Sequence, residues 1–169
     1  MKSVYLFFTL ISFFAFSQEK YLTKTGMLVF EASVPSFEEI KATNTNVTAI
    51  FNASNGEFAT LALVKGFHFN ESYAESDSFP KAIFKGVVEG FKENNALNNY
   101  LINGTLDFHG VTEKIQNINV QIKKLDSKLT FKGNFELNPK EFDIEIPKIV
   151  SSKIADKVIV VFEFSMVKK

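Results

Sequence analysis

Few residues in this sequence could do chemistry. Its 169 residues include two histidines, His68 and His109, and neither cysteine nor tryptophan. All 19 basic residues are lysine. Without cysteine there are no disulfides, thiolate zinc sites, iron–sulfur clusters or thiol nucleophiles. Without arginine there is no bidentate clamp for a carboxylate or phosphate. Two histidines outside any HExxH spacing do not make a metal site. His109, in His109-Gly110-Val111-Thr112, reads as a turn histidine bonding local backbone. No GxSxG elbow, GxxxxGK[ST] loop or GxGxxG turn occurs. The acid pairs Glu38-Glu39 and Asp143/Glu145 read as solvated turns, not as a glycosidase couple. An enzyme working inside this fold would have Asp107, His109 and Ser76 to use, and their spacing does not join them. The expectation is therefore no catalytic residue, no metal and no cofactor. What the composition offers instead is 20 phenylalanines.

Five of these, Phe7, Phe8, Phe13, Phe14 and Phe16, stand in an apolar run from Val4 to Phe16 that follows Met1-Lys2-Ser3. Ala15 and Ser17 put small residues three and one positions before Gln18. This is the layout of a cleavable signal peptide, residues 1–17, too short to span a bilayer comfortably. The expectation is a mature domain of residues 18–169, periplasmic or secreted, with no further membrane-spanning segment. Lys2 leaves with the leader, so 18 lysines face 19 acids, a formal charge of −1. That balance gives no electrostatic footprint for nucleic acid.

From Met27 onward the hydrophobic period is two. In Lys128 to Leu137, Leu129, Phe131, Phe135 and Leu137 share one face with Gly133, and Lys128, Lys132 and Glu136 lie on the other. The same alternation puts Leu28, Phe30 and Ala32 on one face, then Phe58, Thr60, Ala62 and Val64, then Ala82, Phe84 and Val88. It continues with Ile102, Leu106 and Phe108, with Ile118, Val120 and Ile122, and with Val160, Phe162, Phe164 and Met166. A further strand near Val47–Phe51 makes about eight. Turn signals separate them at Ser54-Asn55-Gly56, Glu93–Asn99, His109-Gly110 and Leu125-Asp126-Ser127. Single helical turns are expected at 35–40, 70–76 and 151–156. The pattern is all-β, one antiparallel barrel or sandwich.

Four stretches resemble the YceI-like proteins of bacterial periplasms. They are Thr25–Phe30 with Ala32-Ser33; Glu75–Gly86, containing Ser78-Phe79-Pro80-Lys81-Ala82; Asn103–Thr112, containing His109-Gly110-Val111-Thr112; and Phe142–Pro147 followed by Ile154–Val158. Their order is right and they cover nearly all of the mature chain, in a form closest to Bacteroidetes-type members. The resemblance implies an eight-stranded, lipocalin-like antiparallel β-barrel with one or two short helices, one of them near Ser76. It also implies a polyisoprenoid or similar lipid chain inside, and a homodimer, since members of the family often pair. Between Phe67 and Asn70 the sequence is several residues shorter than the family's usual segment.

Fifteen phenylalanines remain after the leader, most on the inward parity. They have two accounts: core filler, since an eight-stranded barrel can be packed shut by its own side chains, or the wall of a tunnel for a prenyl or acyl chain. The expected wall is Leu28, Phe30, Phe58, Ala62, Ala82, Phe84, Ile102, Leu106, Phe108, Phe131, Phe135, Phe162 and Phe164. The small inward residues Ala32, Ala62, Ala82, Gly86, Gly104 and Gly133 are expected to leave it room.

Overall fold

Nine stretches of alternating or β-branched residues form strands in the computed structural model, which describes residues 19–33, 41–69, 78–144 and 154–169. They are β1 (Lys20–Ser33), β2 (Lys41–Asn52), β3 (Glu57–Leu63), β4 (His68–Phe69), β5 (Lys81–Val88), β6 (Leu97–Phe108), β7 (Val111–Leu125), β8 (Lys128–Leu137) and β9 (Ile154–Lys168). Every pairing is antiparallel, in the order β1-β9-β8-β7-β6-β5-β3-β2, and β1 pairs with β2 to close the ring. β4 is a two-residue ribbon on Ala42 and Thr43 of β2. The body is thus a closed eight-stranded up-and-down barrel. Closure removes the free edges that an open sheet would expose.

Helix is confined, among the described residues, to two 3-10 turns, Val64–Gly66 and Pro139–Phe142. The first takes Val64 out of the strand in which its parity had placed it. The second is punctuated locally: Asn138 accepts the Lys140 N–H at 3.1 Å, and Pro139 supplies a preset φ in the first turn. Residues 154–156, expected in a helical turn, belong to β9. The expected turns at 35–40 and 70–76, the rest of 151–156 and the leader 1–17 lie outside the described residues. β6 begins at Leu97, so the loop expected at 93–99 runs instead over residues 89–96. His109 and Gly110 have φ of +54° and +79° and link Phe108 to its partner Val111, the left-handed pair that a two-residue hairpin requires.

The barrel has two unlike ends. One carries the start of β1, the end of β9, the 126–127 turn and the 89–96 loop, and it is closed. There Phe51 packs on Phe131 and Phe91, with ring centroids 5.0 and 4.8 Å apart, over fully buried Tyr21, Leu129 and Met166. Tyr21 donates its hydroxyl to Glu93 Oε1 at 3.0 Å, and Lys124 Nζ binds the same oxygen. Lys124 continues the inward row of Ile118, Val120 and Ile122, so its charge points into the closed end and meets Glu93 there.

Burial, then the Glu93 hydrogen bond and its charge, push the Tyr21 phenol up to about 12. The Lys124 hydrogen bond holds the Glu93 carboxyl below its ordinary value. The two groups give opposite edges to a stability window. A raised phenol stabilises the fold fully below pH 10 and loses that contribution as pH climbs toward 12. A lowered carboxyl stabilises above its unfolded pKa and loses its contribution as pH falls through the folded value. The phenol's share is at most about 3 kcal/mol. Urea melts between pH 8 and 12 should therefore show a loss of stability that Tyr21→Phe removes. An identical alkaline profile in the variant would disprove the assignment.

Candidate functional site

Toward the other end the described residues leave space in the lumen. An apolar pocket with a free volume of about 50 Å³ lies there, lined from seven of the eight barrel strands. β1 contributes Leu28 and Phe30, β3 Phe58 and Ala62, and β5 Ala82 and Phe84. β6 contributes Ile102, Leu106 and Phe108, β8 Phe135, and β9 Phe162 and Phe164. Twelve of the thirteen expected residues therefore converge on one pocket. Phe131 does not. It is fully buried in the closed-end packing, stacked on Phe58 with centroids 5.3 Å apart. Parity puts it inside but does not say how far down the axis.

Thr60, Ile118, Leu137 and Val160 also line the pocket and were absent from the expected wall. All four lie on the inward parity, so the signal was in the sequence. Among the described residues Thr60 is the one polar residue of the lining. β2 adds nothing: its inward side near the mouth carries Asn44, which is buried and donates to the Leu63 carbonyl at 3.0 Å.

The glycines do not leave room in the way expected. A Cβ on Gly86 or Gly104 would collide with the Phe84 ring, one on Gly133 with Phe162, and one on Gly26 with Phe164. Gly86 and Gly104 are direct partners across β5 and β6. The recess they form takes the Phe84 ring back against the wall. Glycine makes space here for a ring, and the ring's retreat leaves the lumen open.

An aromatic rim surrounds the mouth. Phe30 packs on Phe67 at 4.7 Å between centroids, and Phe108 lies 5.8 Å from buried Phe142. β7 and β8 pair only from Asn119 and Asn134 toward the closed end. Beyond that point the Pro139–Phe142 turn lies against β7. His109 Nδ1 sits 3.0 Å from the Phe142 carbonyl, and Phe79 covers its ring at 4.0 Å. A carbonyl only accepts, so Nδ1 carries the proton. His109 does bond backbone, but its partner is 33 residues away, a clasp between turns and not the local bond expected.

The described residues do not bring the three nominated side chains together. Asp107 points outward on β6, His68 is exposed on β4, and Ser76 lies outside the described residues. Among the described residues no three His, Asp or Glu side chains gather to hold a metal ion.

The sequence model of the YceI-like domain matches residues 30–166. The chain belongs to the YceI-like family. Solved structures share the barrel at low identity. A polyisoprenoid-binding domain from Saccharophagus degradans implicated in plant cell wall breakdown is 15% identical, with a TM-score of 0.74 over 90% of this chain and 99% of that one. BcnA of Burkholderia cenocepacia is 16% identical, with a TM-score of 0.65 over 83% and 96%. The YceI protein of Campylobacter jejuni is 15% identical, with a TM-score of 0.61 over 79% and 86%. No curated protein sequence matches. The stretches that carried the YceI-like resemblance now have physical roles. Phe84-Lys85-Gly86 and Asn103-Gly104 meet as the glycine recess, Gly26 receives Phe164, and His109-Gly110 forms the hairpin turn that clasps Phe142.

Proposed function

We propose that this YceI-like chain is exported through cleavage before Gln18 and holds the apolar chain of an isoprenoid or similar amphiphilic lipid in its barrel. It would act as a carrier or store in the periplasm or outside the cell, without catalysis. The pocket carries this reading: among the described residues, every lining residue except Thr60 is apolar. The relative from Saccharophagus degradans, a polyisoprenoid-binding domain, supports the ligand class. Affinity would come from burial, at roughly 0.8 kcal/mol per methylene.

The free volume of about 50 Å³ is less than two waters' share of the liquid, at about 30 Å³ each, so a long chain requires rings to swing aside. Phe30 and Phe108, half-buried at the rim, are the rings placed to do so. The same small volume favours a second reading, a structural or interaction barrel whose interior is closed by its own side chains. Mass spectrometry of an organic extract of the protein purified from its own host decides between them. A stoichiometric apolar ligand, with an intact-mass N-terminus at Gln18, is the expected result. No extractable ligand and no uptake of a fluorescent lipid would overturn the reading and leave the closed barrel.

A further inference from the structure

The outer face of the closed end carries an amphipathic band that the lumen does not use. Leu97 on β6 pairs with Lys123 on β7, and Leu125 follows one inward–outward repeat further on. Leu125 pairs with Lys128, Lys128 with Val167, and Val167 with Leu22. Each stands on the outward parity, beside inward Ile122, Leu129 and Met166. Leu97, Leu125 and Val167 are 58%, 65% and 47% exposed. Lys20 and Lys169 extend the row, held together where the Lys169 N–H donates to the Lys20 carbonyl at 2.8 Å.

Along this row the lysines outnumber the acids. Two nearby acids are already engaged, Glu93 with Lys124 in a part-buried pair and Glu19 with Lys168 at 2.5 Å in an exposed one. On the outward side, Lys20, Lys123, Lys128 and Lys169 take part in no ion pair among the described residues. Asp126, at the tip of the β7–β8 turn, is the one acid within this row, while the exposed acids Glu57 and Glu89 stand beside β5, outside it. Exposed leucines scattered singly would mean little. Here Leu97 and Leu125 are diagonal neighbours and lysines flank them.

We propose that this end of the barrel rests on an anionic lipid surface, with Leu97 and Leu125 in the headgroup layer and the four lysines on the phosphates. A bilayer takes both halves of the band, since apolar side chains gain by entering the interface while lysines gain from its surface potential. A polyanion would use the lysines and leave the leucines wet. A second copy of the chain laid face to face would bring Lys123 and Lys128 against one another. The pocket mouth then points away from the bilayer, an orientation for holding a lipid off a membrane.

The test is co-sedimentation of residues 18–169, within which the barrel closes on itself, with phosphatidylcholine vesicles made with and without phosphatidylglycerol. Binding is expected with phosphatidylglycerol alone and should weaken at high salt. Lys123→Gln with Lys128→Gln should lose affinity by about fivefold per lysine. Leu97→Ser with Leu125→Ser should also weaken binding, with unchanged melting. Lys85→Gln with Lys114→Gln, exposed lysines away from the band, should leave it intact. Equal loss in that control, no preference for phosphatidylglycerol, or indifference to the leucine pair would each overturn the proposal. Fluorescent-lipid uptake, measured in solution on the same variants, stays normal if only the docking surface is wrong.

Discussion

Phe131→Ala should destabilise the barrel by about 3–5 kcal/mol, the range for emptying a fully buried aromatic site. The ring has no exposed surface and packs on Phe51 and Phe58 at 5.0 and 5.3 Å. Those neighbours belong to strands tied on both sides, so the site cannot collapse to close the cavity. In a domain of this size the loss corresponds to a fall in melting temperature on the order of 10 °C. Uptake of a fluorescent lipid by the folded fraction should nonetheless persist, because Phe131 lies below the pocket and outside its wall. Phe108→Ala is the counterpart. This ring is half-buried at the rim, so the stability cost is about 1–2 kcal/mol, while exchange of bound lipid should become faster. Reversed outcomes, with uptake lost in Phe131→Ala and exchange unchanged in Phe108→Ala, would mean that the functional lumen is the closed end.

That contrast marks the limit of what parity can say. Period-two alternation placed Leu28, Phe30, Phe84, Phe108, Phe162 and their row-mates on one side of a sheet, because a strand turns its side chains over at every residue. Sheet closure then made that side a lumen, and the antiparallel all-β reading followed from the same rows. Depth along the axis is a property of register and barrel tilt, so Phe131 and Phe135, four residues apart on one face of β8, came out as closed-end packing and pocket wall respectively. Lys124 sits on a row that reads Ile118, Val120, Ile122 and then lysine. The parity was legible, but the partner Glu93 arrives from a loop 31 residues away. Likewise the His109 turn was marked by its glycine, whereas its clasp to Phe142 depends on where a 3-10 turn lands after β8. Long-range partners of this kind leave no periodic trace.

Gly104→Ala separates glycine as a recess from glycine as a backbone convenience. At a compatible extended position this change stabilises a protein by roughly 0.4–1 kcal/mol through the unfolded chain. Here the new methyl would meet the Lys85 carbonyl oxygen, the Gly86 Cα at 2.7 Å and the Phe84 ring at 2.7 Å. Two of the three are backbone atoms of a paired strand and cannot step aside, so the expected result is a net loss of about 2–3 kcal/mol from overpacking. The third can move only into the lumen, which should also reduce lipid uptake. Adding Phe84→Leu should return part of the loss, with a coupling of about 1 kcal/mol in a double-mutant cycle read by urea denaturation. Gly90→Ala is the control for conformation alone: its φ is +61° and no atom stands within 4 Å of the added methyl. That change should cost about 1 kcal/mol and leave uptake untouched. If Gly104→Ala and Phe84→Leu were strictly additive, the ring would not be lying in the recess, and the pocket would owe its open space to something other than the paired glycines.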